Sequence, residues 1–171
     1  MSDAAFDNEL LDEEQESFDG AKYLLCKLGD EVYGVDISVV TDIIELQKII
    51  AIPEMPEYVR GVINLRGRVI PVVDLRLRFG MEERSYDDRT VITVVKLGER
   101  SIGLIVDTAT EVQDILNENI APPPDFHRSQ GHAQQYIAGL GKLEEQVIII
   151  LDMDRLISAE EMERLQSEAE T

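Results

Sequence analysis

With 171 residues and a mass of 19.3 kDa, the chain suits one domain or two small ones and can bury a real core. Hydrophobic residues make up 44%, with no Trp and few Phe or Tyr, so Leu, Ile and Val must build the interior. One cysteine, Cys26, excludes a disulfide framework and a cysteine-ligated zinc site. No apolar run approaches the roughly 18 residues of a membrane span. The N-terminus has neither the basic nor the apolar region of a secretory leader, so the expected compartment is the cytoplasm. The net charge of −19 is unevenly spread: residues 1–19 hold eight acids and no base, residues 158–171 hold five acids and one base, and −7 remains for 20–157. Generic nucleic-acid binding needs a basic surface and is disfavoured. Residues 1–20 read as an acidic, disordered arm whose simplest role is solubility.

In chain order, strands are expected at 22–28 and 32–37, on either side of a Gly29-Asp30 turn. Ser38 is placed to cap a short helix over Val39–Leu46, because Val39, Val40, Ile43, Ile44 and Gln47 fall at three-to-four spacing. Strands follow at 61–66 and 68–74, and Pro71, lacking an N–H, should put the second at a sheet edge or a bulge. Further strands are expected at 90–97, 101–106, 110–116, 137–143 and 147–151. Ser158 and Glu161 form a capping box that opens a last helix within 158–171, with Met162 and Leu165 on one face.

The chain also repeats itself. Lys27-Leu28-Gly29-Asp30-Glu31-Val32-Tyr33-Gly34 resembles Lys96-Leu97-Gly98-Glu99-Arg100-Ser101-Ile102-Gly103 at a shift of 69. Tyr58-Val59-Arg60-Gly61-Val62 resembles Tyr136-Ile137-Ala138-Gly139-Leu140 at a shift of 78, and Leu65, Val69-Ile70 and Asp74 align onward with Leu143, Val147-Ile148 and Asp152. The extra nine residues of the second copy fall naturally in the polar loop Pro122–Gln135. Short strands, turn glycines and little helix in each copy predict a mainly β fold of two small barrels rather than a parallel sheet.

Catalytic constellations are sparse. Cys26 lies in the apolar run Tyr23-Leu24-Leu25-Cys26 and reads as a buried small hydrophobe. His127 and His132 sit five apart in the polar loop, a spacing that stacks them on no helix face. Gly139-Leu140-Gly141-Lys142 lacks the glycine spacing and following Ser or Thr of a phosphate loop. Asp152-Met153-Asp154 offers too few oxygens for a hard cation and suits helix capping. Asp74, Asp107 and Asp152 each end an apolar strand, which fits termination or capping. No metal, cofactor or catalytic residue is expected.

Residues 60–78 reverse the sign of the chain locally, with Arg60, Arg66, Arg68, Arg76 and Arg78 against one acid, Asp74. Alternation would place Arg66 and Arg68 on one strand face unless the Gly67 turn intervenes. Arginine suits two-pronged grips on carboxylates and is enriched in interfaces; a solvated face with local pairs such as Arg76–Asp74 is the plainer use.

The run Tyr58-Val59-Arg60-Gly61-Val62-Ile63-Asn64-Leu65-Arg66-Gly67-Arg68-Val69-Ile70-Pro71-Val72-Val73-Asp74-Leu75-Arg76 resembles the core motif of the bacterial chemotaxis coupling family CheW. Leu28–Ile37, Gly103–Asp107 and Tyr136–Gly141 agree in order, so the resemblance covers roughly residues 21–166. It implies two tandem SH3-like five-stranded β-barrels with short helices and a C-terminal helix. Barrel one would lie mainly in 21–89 and barrel two mainly in 90–157, with boundaries free to interleave. It implies a non-enzymatic cytoplasmic adaptor, recruited to membrane-bound receptor arrays, that joins the cytoplasmic tips of methyl-accepting chemoreceptors to the regulatory domain of the histidine kinase CheA. The resemblance assigns Val40, Gly61, Asn64, Leu65, Arg66 and Val112 to receptor binding, in an apolar groove between the barrels, and Asp42 and Ile43 to kinase binding. The chain ends soon after the last helix, so no receiver domain of the fused CheV kind is expected. Two other classes keep distinct signatures: an enzyme would gather His127, His132 and a carboxylate on one ion, and a nucleic-acid binder would expose the 60–78 arginines.

Overall fold

A computed structural model describes residues 19–123, 135–158, 160, 161 and 163–165. Its strands are β1 (Gly20–Leu28), β2 (Glu31–Asp36), β3 (Val40–Glu45), β4 (Val59–Leu65), β5 (Arg68–Asp74), β6 (Val91–Leu97), β7 (Arg100–Val106), β8 (Thr108–Leu116), β9 (Ile120–Ala121), β10 (Ile137–Leu143) and β11 (Gln146–Leu151). Two four-residue helices, α1 (Leu75–Arg78) and α2 (Met153–Leu156), and 3-10 turns at Ile37–Val39 and Asn117–Asn119 complete the named elements. The fold is mainly β, as expected. One sheet runs β8-β1-β2-β11-β10-β9 and the other β3-β6-β7-β5-β4, giving two SH3-like modules.

The repeat survives to single residue pairs. Gly34 faces Ile150 in the parallel pairing of β2 with β11, and Gly103 faces Val72 in that of β7 with β5, each residue matching its counterpart at the sequence shifts of 69 and 78. Register slips recur at Val59/Gly61 and Ile137/Gly139. The Asp74 amide donates to the Tyr58 carbonyl and the Asp152 amide to the Tyr136 carbonyl, both at 2.8 Å. Each aspartate then caps the short helix that follows, through its side chain. The hairpins nevertheless exchange partners. β1–β2 lies beside β10–β11, and β4–β5 lies beside β6–β7, so each module takes one hairpin from each copy.

Three apolar clusters hold this arrangement. Tyr23, Leu25, Val32, Ile115, Ile148 and Ile150 fill the first module, while Ile63, Ile70, Val72, Ile92, Val94 and Ile105 fill the second. The largest lies between them and joins Leu24, Cys26 and Val35 of one sheet to Val73, Val95 and Leu104 of the other. Alternation explains the split: Leu24 and Cys26 point to the shared core, Tyr23 and Leu25 to the module's own. The second sheet closes on itself through Ile50 and Val62, whose N–H groups and carbonyls pair in both directions at 2.8 and 2.9 Å.

The segment after β2 differs from expectation. A 3-10 turn at Ile37–Val39 is capped by Asp36, which accepts from the Ser38 amide, and the chain then enters β3 instead of a helix. Val39, Val40, Thr41, Ile43 and Ile44 are β-branched and stiff at χ1, and the free edge of β6 rewards the extended form. Pro71 lies in an interior strand with no bulge, yet the parallel ladder from β5 to β7 begins only at Val72, so its missing N–H costs no ladder bond. The capping box forms as expected: the Glu161 amide donates to Ser158 Oγ, and the Ser158 amide to the Glu161 carboxylate. Leu165 is buried. Met162 and the histidine loop fall outside the described residues.

Candidate interaction surface

The two modules meet where β1 packs against β6 and β7. Cys26 of β1 lies beside Thr93 of β6, and the 3-10 turn Ile37–Val39 touches both strands. Burial pushes the Cys26 thiol up to about 12, with the Thr93 hydroxyl offsetting part of that rise. Among the described residues Thr93 Oγ1 finds no hydrogen-bond partner. β8 flanks β1 and β3 flanks β6, so one edge strand of each sheet borders this junction.

Register decides which side chains of these two edge strands turn toward the shared core. Val40 lies opposite Val95 and Ile43 opposite Thr93, on the face of β3 turned toward the shared core; Thr41 is the extra residue of a bulge. Val112 lies opposite Leu24, and Leu116 follows it on the same face of β8. Ile43 is 46% exposed, Val112 45% and Leu116 36%, whereas Val40 is half-buried. Val40, Ile43 and Val112 thus all stand on strand faces turned toward the shared core, although Val40 and Val112 were expected to meet one partner and Ile43 another. Leu116 was missed; its place four residues beyond Val112, with the Thr110 bulge already passed, is the signal for it.

Arg66 and Gly67 form a two-residue turn with φ of 52° and 85°, the left-handed pair that matches the twist of a hairpin. The Gly67 amide donates to Asn64 Oδ1 at 2.9 Å, and Gln47 Nε2 donates to the Asn64 carbonyl. Leu65 is half-buried against the second module's core. The turn projects Arg66, its side chain 74% exposed, to Asp42 of β3 at 3.0 Å. Asp42 faces away from Ile43, so the two expected kinase contacts lie on opposite faces of one strand. Gly61 is buried with φ 142°, and a Cβ there would stand 2.1 Å from the Ile50 carbonyl. It serves closure of the second sheet.

The arginine run does not form a stripe. Arg76 grips Asp107 with two bonds of 2.8 and 2.6 Å, not Asp74. Arg60 donates to Tyr86 and pairs with Glu83, and Tyr86 donates to the buried Asp74 at 2.7 Å. Arg78 lies over the rings of Tyr58 and Tyr136 and bonds Glu161 at 3.0 Å. Arg66 and Arg68 alone of the five stand exposed, separated by Gly67. Burial pushes the Asp107 pKa up, but the Arg76 bonds, the Gly29 amide and Arg84 outweigh it and hold the carboxyl below the usual range. Glu161 is likewise held low: Tyr58, Ser158 and Arg78 overcome the burial penalty. Burial and the Glu161 bond push Tyr58 up to about 12.

Among the described residues no three His, Cys, Asp or Glu side chains are grouped to hold a metal ion. Asp152 caps α2, as its position suggested. A cleft of about 630 Å³ lies elsewhere, lined by Leu97, Gly98, Glu99, Arg100, Asp154, Ile157 and Glu163, and none of the surface residues above reaches it.

Two SH3-like modules around a common core, with apolar side chains left exposed on an edge strand of each sheet, suit a scaffold-type protein. The CheW-like domain model matches residues 22–161, and the chain belongs to that family. It is 38% identical over 143 residues to the chemotaxis protein CheW of Klebsiella aerogenes, covering 84% of this chain and 85% of that protein. It is 30% identical to the chemotaxis protein CheW of Treponema pallidum, covering 81% and 83%. The crystal structure of the scaffolding protein TtCheW from Thermoanaerobacter tengcongensis superposes with a TM-score of 0.75 at 34% identity, over 83% of this chain and 95% of that one.

Proposed function

We propose that this protein is the non-enzymatic adaptor of a bacterial chemotaxis array, holding the cytoplasmic tip of methyl-accepting chemoreceptors and the regulatory domain of the histidine kinase CheA. The observation that carries this reading is that an edge strand of each sheet, β3 and β8, turns partly exposed aliphatic side chains to the side of the shared core. Val40 and Ile43 on one and Val112 and Leu116 on the other would together line a groove between the modules. A helical hairpin offers apolar anchors at i, i+3, i+4 and i+7, and two walls of half-exposed aliphatic side chains supply the matching holes. Arg66 sits at the tip of the adjoining hairpin, where a receptor carboxylate can replace Asp42 as its partner. An exposed pair of this kind contributes about 0–1 kcal/mol, so the exchange costs little.

Asp42, on the other face of β3, belongs to the kinase side of the same strand, and Ile43 joins the receptor groove. Among the described residues no helix is long and apolar enough to cross a membrane, which fits a protein brought to the membrane by its receptors. Pull-downs with a receptor hairpin fragment test the reading. Val112→Asp and Arg66→Glu should each lower receptor retention at least tenfold while circular dichroism stays that of the parent. Undiminished retention by both variants, with the fold intact, removes the groove from the receptor contact.

A further inference from the structure

We propose that Arg66, Arg68 and Lys96, at one end of the second module, form a docking surface for this chain's own acidic segment, residues 3–16. Arg68 Nη2 donates to Ser101 Oγ at 3.0 Å, and Ser101 lies opposite Lys96 in the β6–β7 register. Arg68 in turn lies opposite Leu65, next to Arg66. Three exposed cations, from β5, β6 and the β4–β5 turn, thus lie at one end of the second module. Among the described residues Asp42 is the carboxylate within 4 Å of Arg66, and Arg68 and Lys96 have none. Glu99, in the β6–β7 turn, is the other acid at that end.

The rest of the molecule argues for the occupant. Arg60, Arg76, Arg78 and Arg84 are taken up by carboxylates of the fold. Of the exposed cations that remain, Lys27, Lys48, Arg89 and Lys142 stand apart in sequence and structure elements, while Arg66, Arg68 and Lys96 lie at one end of the second sheet, on a chain of net −19. Residues 1–19 carry eight acids and no base, so they cannot neutralise themselves. Eighteen residues can extend about 60 Å, more than the roughly 40 Å diameter of a compact chain of this size. The tether therefore makes the segment a local ligand at an effective concentration near the millimolar range. Exposed charges are screened within about 8 Å at physiological salt, so the contact should be weak and salt-sensitive.

The full chain, labelled with nitrogen-15, tests this without either proposed partner. Replacing Glu9→Gln, Asp12→Asn, Glu13→Gln and Glu14→Gln together should shift the amide signals of Arg66–Val69 and Lys96. The corresponding hairpin tip of the first module, Glu144-Glu145, has the same two-residue length and a left-handed first residue but acidic side chains, and should stay unmoved. Salt at about 0.5 M should bring the parent's signals to the variant's positions. An Arg68→Gln, Lys96→Gln double variant should lose the response while its remaining spectrum keeps the folded dispersion. No shift at Arg66, Arg68 and Lys96, or an equal shift at Glu144, overturns the proposal. Shifts that grow with protein concentration also overturn it, since they place a second copy's segment at this surface.

Discussion

The left-handed backbone at Arg66, followed by Gly67, aims the guanidinium off the hairpin tip toward Asp42, so its placement owes little to that ion pair. Arg66→Ala should then change the free energy of urea unfolding by less than about 1 kcal/mol, while receptor binding falls. A loss of several kcal/mol would make Arg66 a structural residue. Cys26 gives a second check at this scale. Its thiol is raised to about 12 and buried in the shared core, so iodoacetamide at pH 8 should leave it unmodified until the protein is unfolded in denaturant. Rapid labelling under native conditions would mean that the modules part readily. The buried character of Cys26 was legible from its apolar neighbours. The fate of the arginines was not: the residues that absorb Arg60, Arg76 and Arg78 lie 23, 31 and 83 positions away, beyond any local pattern.

At the scale of elements, β3 and the C-terminal helical turn carry opposite lessons. Residues 39–46 show helical spacing, yet β-branched side chains and the waiting edge of β6 make them a strand. The Ser158 capping box was legible because its partners are three residues apart, whereas its anchorage by Tyr58 and Arg78 was not. That anchorage sets a pH dependence. The Glu161 pKa is lowered from an ordinary 4.5, so its contribution is complete above 4.5 and is lost as pH falls through the lower folded value. Glu161→Gln should flatten this acid limb of the stability curve and raise amide exchange around Leu165; an unchanged limb would assign acid sensitivity to Asp107 instead. At the sheet closure, Gly61→Ala puts a methyl against the Ile50 carbonyl at a φ that alanine avoids. A loss of about 2–4 kcal/mol in chemical unfolding is expected, combining backbone strain with a broken closure, and a change under 0.5 kcal/mol would contradict that account.

Across the whole molecule, sequence repetition disclosed two modules but not their exchange of hairpins. The matching segments are local, while the pairing of β2 with β11 and of β5 with β7 depends on which copy covers which. Fragments 21–89 and 90–157 each hold one hairpin of each module and should be unfolded alone, regaining dispersed spectra only when mixed. Independent folding of either would contradict the interleaved cores. The same exchange makes the proposed groove a property of the whole, because β3 and β8 belong to different modules that share one core. The most direct measurement is therefore the stoichiometry of a mixture of this protein, a receptor hairpin fragment and the kinase regulatory domain, by analytical ultracentrifugation. A single ternary species that loses its receptor with Val112→Asp and keeps its kinase domain is the predicted result. Mutually exclusive binding of the two partners, or binding of neither, would contradict the adaptor account.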